Sequence, residues 1–463
     1  MPTSSAGFDH SRAYDPVEVP PTKRKRRSIV DAKYFSGGPP PPPTHPSPHH
    51  QPYGTGHHTQ QHHHQSQHHH HHQPHPLQHP PREDLPVLYP PPNLPSATNV
   101  VSGTACEPTS TPWDDKEGHY IVVPNQDLIP RYKILRLLGQ GTFGKVVECF
   151  DRETGQHCAI KIIRAVQKYR DASKTEIRVL ATMKAYDPEN NFKCLHLREW
   201  FDHKNHVCMV FELLGQSIYD WLKDNTFCPF PPNQIQQFAK QLLTSVAFLH
   251  RLRLIHTDLK PENILLANGE FRMATYKGKP GIKMRRILKN PDIRLIDFGS
   301  ATFEEDHHSS VVSTRHYRAP EIILGLGWSY PCDIWSVGCI LIEFLTGEAL
   351  FQTHDNLEHL AMMQSVLGPM PDKLIRASPL AYPNDETKRN SRKFVKALRP
   401  LRDYVVPVSS APENLAFAED FADLLSRLFA YDPADRISAA DALEHVYFKY
   451  EVDEAGQVLN VDK

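Results

Sequence analysis

Three side chains that can do chemistry stand close together in Leu254-Ile255-His256-Thr257-Asp258-Leu259-Lys260-Pro261-Glu262-Asn263-Ile264-Leu265-Leu266: an acid at 258, a base at 260 and an amide at 263. The apolar runs on either side have the composition of buried strand ends. The polar residues between them therefore sit on a short loop gripped by rigid elements, the usual place for reacting groups. The set suits phosphoryl transfer. Asp258 can accept the proton of an attacking hydroxyl, Lys260 can neutralise the group in transfer, and Asn263 can hold a metal ion. A polar turn between two strands would explain the same residues without chemistry, so the missing parts must be sought elsewhere in the chain.

They are found upstream first. Tyr132 to Leu138 has strand composition and leads into Gly139-Gln140-Gly141-Thr142-Phe143-Gly144-Lys145-Val146. A dinucleotide-binding fold or a P-loop would need a helix next, and a P-loop would need Ser or Thr after Gly144-Lys145. Position 146 is Val, and Val146 to Phe150 reads as a second strand, so the glycines tip a hairpin whose backbone can fold over phosphates. A third strand, Cys158 to Ile163, carries Lys161 in an apolar run, where a lysine is costly unless paired. Its expected partner is Glu176, on the inner face of a helix over about 165–183 with Val166, Tyr169, Ala172, Val179 and Met183 as core stripe. Val207 to Leu214 reads as a strand leading into a connector, with Phe211 at the back of a pocket and the backbone of Glu212 to Leu214 at an adenine edge. Gln234 to Leu252 is a strongly amphipathic helix, read as core scaffold.

Downstream, Ile293-Arg294-Leu295-Ile296-Asp297-Phe298-Gly299 adds a second acid at the end of a buried strand, suited to a metal that bridges phosphates. Ala319-Pro320-Glu321 closes the segment, and Glu321 is expected to pair with Arg436. Asp333, opening the apolar helix Asp333-Ile334-Trp335-Ser336-Val337-Gly338, is expected to brace the catalytic loop. Six such motifs in this order over about 300 residues resemble the signature set of the eukaryotic protein kinases. The resemblance covers roughly 132–448. It implies an α+β fold, with a small β-rich lobe (about 132–213) and a larger helical lobe (about 214–448), ATP and Mg2+ lying between them. It implies catalytic roles for Asp258, Lys260 and Asn263, and nucleotide contacts from Gly139, Gly141, Gly144, Val146, Ala159, Lys161, Glu176, Phe211, Glu212, Leu214, Leu265 and Asp297. The metal ligands would be Asn263 and Asp297.

Two departures narrow the family. Thr257 stands where most kinases have an arginine that binds an activation-loop phosphate, which predicts activity without phosphorylation there. Asp258 and Asp297 are also unusually far apart, with a basic, glycine-marked insert at 268–291 that reads as a hairpin. A further insert spans about 358–417 and begins Glu358-His359-Leu360-Ala361-Met362-Met363. With His256-Thr257-Asp258 and Ser313-Thr314-Arg315-His316-Tyr317-Arg318-Ala319-Pro320-Glu321, these features resemble the LAMMER, or CDC2-like, kinases, although Gln364-Ser365 replaces the Glu-Arg that ends the name motif. The resemblance implies a monomeric, nuclear, dual-specificity enzyme that autophosphorylates on Tyr and modifies arginine/serine-rich splicing factors. A kinase-fold scaffold, or a related dual-specificity tyrosine-regulated kinase with other substrates, are the alternatives. Glu262 could face an arginine two residues before the acceptor, and Glu304-Glu305-Asp306 is either part of the same acidic surface or a solvated run.

The rest of the composition sets limits. The 463 residues include 42 prolines and 29 histidines, concentrated before residue 118, and only 39% are hydrophobic. Residues 1–118 lack periodicity and read as disordered, with the tail or its targeting function as a third possible main role. Within them Lys23-Arg24-Lys25-Arg26-Arg27 reads as a nuclear import signal or a solvated run. The tract around His62 to His72 reads as a spacer or a zinc or copper binder, and Pro39 to Pro43 as a ligand for an aromatic groove. Residues 449–463 read as a short C-terminal tail. The net charge of −1 gives no global argument for nucleic-acid or membrane binding, and neither is expected as a direct partner. The longest apolar run, Ile334 to Leu345, is too short for a bilayer, and no leader is expected. Eight cysteines without a Cys-x-x-Cys pair read as reduced, buried thiols.

Overall fold

Strand-forming residues recur across 132–163 and 199–212, and in the computed structural model they form one antiparallel sheet. The structure describes residues 113–380, 382, 392, 394–406 and 412–461. The basic run, the proline and histidine tracts and the disorder expected of the tail lie outside these residues, apart from 113–118. The sheet is ordered β1-β2-β3-β5-β4, with β1 Tyr132–Gln140, β2 Gly144–Asp151, β3 Gln156–Ile163, β4 Glu199–His203 and β5 His206–Glu212. Side chains alternate between its faces. Val147, Ile160, Ile162, Cys208 and Val210 pack on one side. Ile163, Val207, Met209 and Phe211 meet Ile177, Leu180 and Met183 of helix α1 (Gln167–Tyr186) on the other.

The sequence reading of α1 needs correcting in two respects. The helix starts and ends slightly later than expected, and Val166, Tyr169 and Ala172 are only half-buried. The inner stripe is Ser173, Glu176, Ile177, Leu180 and Met183, flanked by Val179 and Thr182. Ser173 and Thr182 donate their hydroxyls to Arg170 and Arg178 carbonyls one turn back, which lets polar residues occupy an inner face.

A second correction concerns the start of ordered structure, expected near Tyr132 with a tail through 118. Residues 113–131 pack on the sheet. Tyr120 and Leu128 join the core formed with Tyr132, Ile134 and Phe201, and short bridges tie Asp114 to Tyr120 and Asp127 to Lys133. The segment lacks periodicity because it is neither helix nor strand and is held by contacts to other elements.

The helical lobe is built on α2 (Ile218–Asp224), α3 (Pro232–Arg251), α4 (Pro320–Ile323), α5 (Pro331–Thr346) and α6 (Asn356–Leu367). Leu242, Val246 and Leu249 of α3 and Trp335, Ile340 and Phe344 of α5 lie in its core. Among the described residues no helix is long and apolar enough to cross a membrane, and the seven described cysteines are free and buried. Short ladders pin the loops between the helices: β6 (Leu254–Ile255) pairs with β11 (Thr302–Phe303), and β7 (Ile264–Leu266) with β10 (Ile293–Leu295). The 268–291 insert carries the hairpin β8 (Phe271–Thr275) and β9 (Met284–Leu288). In α6, His359, Leu360, Met362 and Met363 are buried. At the altered end of that motif, the Gln364 amide oxygen accepts from Met370 N at 3.2 Å and the Ser365 hydroxyl donates to the Val395 carbonyl at 3.0 Å.

Candidate active site

The loop between β6 and β7 is held from below by α5. The buried Asp333 carboxylate accepts the backbone N–H of His256 at 2.8 Å and of Thr257 at 2.9 Å. Thr257 takes φ 67°, a conformation disfavoured for a β-branched residue. Its amide bond to Asp333 and its hydroxyl bond to the Ser300 carbonyl at 2.9 Å fix that strained position. His256 Nδ1 lies 3.3 Å from Asp258 N, and its Nε2 lies 3.1 Å from the Ile296 carbonyl, so the ring bridges the loop to the strand end before Asp297.

Asp258 is thereby aimed with its two oxygens separately committed. Oδ2 lies 2.5 Å from Lys260 Nζ. Oδ1 accepts from Thr314 N at 3.0 Å and from Thr314 Oγ1 at 2.7 Å. Lys260 also donates to Thr314 Oγ1 at 3.2 Å. Thr314 had been read only as part of a family match, because sequence spacing gives no sign that a threonine beyond a long insert reaches this acid.

Lys161 is the hub on the opposite side. Its ammonium is 2.6 Å from Glu176 and 3.5 Å from Asp297. Burial works against its charge, and the two carboxylates overcome this, so its pKa is raised. Burial likewise opposes charge on Asp297, but Lys161, His256 and Lys260 together hold its carboxyl below the usual range. Asp297 has φ 62°, the left-handed conformation that L side chains rarely adopt and glycine adopts readily. The Ile296 N–H donates to the Asn263 carbonyl at 2.9 Å, bringing Asn263 and Asp297 side by side. The Asn263 amide nitrogen donates to the Asp258 carbonyl at 2.9 Å, which leaves its oxygen as the ligand atom. A carboxylate and an amide oxygen are hard donors that suit a small divalent cation. Among the described residues no cluster of three His, Cys, Asp or Glu side chains could hold a metal alone, so phosphate and water oxygens would have to complete its shell.

The sheet register brings three apolar residues to the same face as Lys161. Val146 lies opposite Lys161, and Ala159 opposite Phe211, so these four residues share one side of the sheet. Beyond Glu212, the connector pairs with β7: Gly215 N donates to the Leu266 carbonyl at 2.8 Å and Leu266 N to the Gln216 carbonyl at 3.0 Å. This pairing places Leu265 opposite Ser217. The three glycines differ. A Cβ at Gly139 or Gly141 would meet nothing within 4 Å, but one at Gly144 would stand 2.1 Å from the Ile162 carbonyl. Gly144 is thus required by the close approach of β2 and β3, and not only by phosphate access.

The acidic residues divide unexpectedly. Asp306 is engaged by Arg178 of α1, and Glu304 accepts from the Tyr330 hydroxyl at 2.8 Å. Two of the three acids in that run therefore tie the segment to the fold and are not free for a substrate. Glu262 is exposed beside Asp258, with the buried Glu343 of α5 behind it. Burial pushes the Glu343 carboxyl up to about 7, with repulsion from Glu262 adding and the Tyr317 hydroxyl, 2.7 Å away, opposing. Glu343 was missed in the sequence, yet an acid inside Ile340-Leu341-Ile342-Glu343-Phe344 carries the same signal as Lys161.

Comparison with known proteins agrees with this geometry. The protein kinase domain family matches residues 132–448. The fission yeast (Schizosaccharomyces pombe) dual specificity protein kinase lkh1 is 50% identical over 357 residues, covering 74% of this chain and 50% of its own. The Arabidopsis thaliana serine/threonine-protein kinase AFC1 is 48% identical, over 73% of this chain and 76% of its own, and human dual specificity protein kinase CLK4 is 47% identical, over 72% and 70%. The chain belongs to the LAMMER protein kinases. This LAMMER kinase spans half the length of the fission yeast relative and about three quarters of the Arabidopsis one. A crystal structure of another kinase domain superposes with TM-score 0.65 at 34% identity, covering 72% of this chain and all of that domain. Membership implies ATP and a divalent metal ion.

Proposed function

We propose that this kinase transfers the γ-phosphoryl group of ATP, with Mg2+, to Ser and Thr of arginine/serine-rich proteins, and to its own Tyr by autophosphorylation. The observation that carries the reading is the double engagement of Asp258 by Lys260 and Thr314, across a cleft from the Lys161–Glu176–Asp297 set. Asp258 would accept the proton of the substrate hydroxyl, while Lys260 offsets charge on the transferring group. Mg2+ held by Asn263 and Asp297 would neutralise the charge of the β- and γ-phosphates. Lys161, anchored by Glu176, would position the phosphates under the Gly139–Gly144 tip. Val146, Ala159, Phe211 and Leu265 would enclose the adenine, with the Glu212–Leu214 backbone at its edge. An intact catalytic set argues against a scaffold without turnover.

Recognition of arginine fits Glu262, exposed beside Asp258, with the buried Glu343 behind it adding to the local negative potential when ionised. With a pKa of about 7, Glu343 is mostly neutral below that pH and charged above it, so preference for arginine should rise as pH climbs through about 7. The decisive experiment is a randomised peptide array, scored for arginine around serine, run at about pH 6 and 8 with enzyme pretreated with a protein phosphatase. We expect activity to survive that treatment, since Thr257 replaces the phosphate-binding arginine, and Glu262→Ala to lose most of the arginine preference. Equal use of neutral peptides, or inactivation by the phosphatase, would count against the corresponding part.

The nucleus is the proposed location, through Lys23–Arg27. Alanine replacement of that run should shift the protein to the cytoplasm, and an unchanged partition would refute it.

A further inference from the structure

The segment ahead of the sheet makes contacts that a simple extension of the fold would not need. Asp115 Oδ1 accepts from Glu117 N and His119 N, forming a tight turn. From this turn the Gly118 carbonyl accepts Ala165 N at 2.8 Å, just before the first turn of α1. The Glu117 carbonyl accepts from Arg164 Nε at 2.9 Å, while the same guanidinium reaches the Thr142 carbonyl in the glycine tip at 3.2 Å. Lys145, immediately after Gly144, donates to the Tyr120 carbonyl at 3.0 Å and faces Asp115 at 3.4 Å. Asp114 lies 2.6 Å from Nε2 of the buried His206, whose Nδ1 is 2.6 Å from the carbonyl of Ile163, the last residue of β3.

Apart from the two bonds that shape the turn itself, these contacts lead to the glycine tip and the start of β2 through Lys145, to the entry of the helix bearing Glu176 through Arg164 and Ala165, and, by way of His206 at the start of β5, to the end of the strand bearing Lys161. That entry needs outside support, because the helix begins at Val166 with no side-chain cap and no acidic residue in its first turn. Phe143 in the tip packs edge-on against Tyr169 of α1, and the Lys161 ammonium lies 6.0 Å from the Phe143 ring. Gly118 is confined by two constraints. Its φ is +80°, and a Cβ would stand 3.0 Å from Val166 Cγ2.

We propose that residues 113–122 act as a clasp that positions the glycine tip and α1 for ATP, with Asp114 and Gly118 as positioning residues for the nucleotide site. The inference rests on the reading of the cleft as an ATP site and concerns how that site is held in shape. A loosened clasp frees the tip and the helix entry together while leaving Asp258 and the peptide-binding side untouched. Its signature is therefore a change in KM for ATP without one in KM for peptide.

The test uses the full chain carrying Gly118→Val, Asp114→Ala or Asp114→Asn, the last of which keeps an acceptor for His206. Gly118→Val and Asp114→Ala should raise KM for ATP roughly three- to tenfold, with peptide KM near wild type at temperatures below the unfolding transition of each variant. Amide exchange at 142–144 and 166–170 should quicken, and Asp114→Asn should fall close to wild type. The proposal is overturned if exchange shows 113–120 released while KM for ATP stays unchanged. It is equally overturned if melting temperature and both KM values shift together, the mark of general destabilisation. Binding of a fluorescent ATP analogue to the wild type separates the two levels: no binding there removes the functional reading itself, whereas equal binding by wild type and variants removes only the clasp.

Discussion

Replacing Asp258 with asparagine is expected to lower kcat by about a hundred- to ten-thousand-fold while ATP still binds, since a positioned base contributes on that order. The geometry explains why a near-isosteric change is so costly. Both oxygens of Asp258 accept: one from Lys260, the other from the Thr314 amide and hydroxyl. An asparagine can present an acceptor to only one of those sides, and its NH2 must face a donor on the other. The amide also takes up no proton from an attacking hydroxyl. The proposed nucleotide contacts lie on other elements, the sheet face and Lys161 with Glu176 and Asp297, so KM for ATP should move little. Steady-state kinetics with fluorescent nucleotide binding would separate the two effects. Turnover near the wild-type rate would remove Asp258 from the base role, and lost nucleotide binding would mean that the substitution disturbs more than the base.

The parts of this site that were legible in the sequence share one physical property: a polar group in apolar surroundings. Lys161 in a buried strand announced the need for a carboxylate, and Glu176 is where the helical period put it. Asp333 at the head of an apolar helix announced a bond to buried backbone, which it makes to His256 and Thr257. Glu343 has the same signature, but the reading of its helix stops at Asp333 and the first turns after it. What the sequence hid depended on tertiary contact alone. Thr314 reaches Asp258 only after the insert and the activation segment have folded back. Residues 113–131 have no period because their partners are scattered over the glycine tip, several strands of the sheet and the entry to α1. Glu304 and Asp306 looked like a surface charge run until Tyr330 and Arg178 were seen beside them. The inner stripe of α1 was obscured by Ser173 and Thr182, whose hydroxyls satisfy themselves on the helix's own backbone.

Thr257 connects the loop to regulation. In a left-handed conformation it is held by Asp333 through its amide and by Ser300 through its hydroxyl, and Ser313 of the activation segment donates to its carbonyl at 2.7 Å. Those bonds link the catalytic loop directly to that segment. An arginine with a phosphate would make the same link through a modification, whereas here the bonds form within the unmodified chain. The activation segment is further tied to α1 by Arg178 and Asp306, so the elements bearing Glu176, Asp258 and Thr314 are cross-connected without a phosphate.

The end of that segment rests on the Glu321–Arg436 pair, and its disruption should produce the largest loss of stability. Arg436 donates to both Glu321 oxygens, at 2.8 and 2.9 Å, and also to the Ala430 and Pro331 carbonyls at 2.9 and 2.7 Å. Both side chains are almost completely inaccessible. Removing one partner leaves the other charge buried without compensation, so Arg436→Ala should cost about 3 to 5 kcal/mol. Replacing both partners by apolar residues, as in Glu321→Leu with Arg436→Met, removes the stranded charge as well and should recover a large part of that loss. Trp335, whose ring lies 5.2 Å from the Arg436 guanidinium, offers a local fluorescence reporter of denaturant unfolding. A single variant that costs less than about 1 kcal/mol, the range of an exposed pair, would show that the pair is not the anchor described. Because Glu321 lies in the first turn of α4, shortly after the Thr314–Tyr317 stretch, the single variant should also lose activity below its unfolding transition as Thr314 drifts from Asp258. The double variant should regain stability before it regains that activity, since apolar packing restores the core without restoring the bidentate hold on the segment.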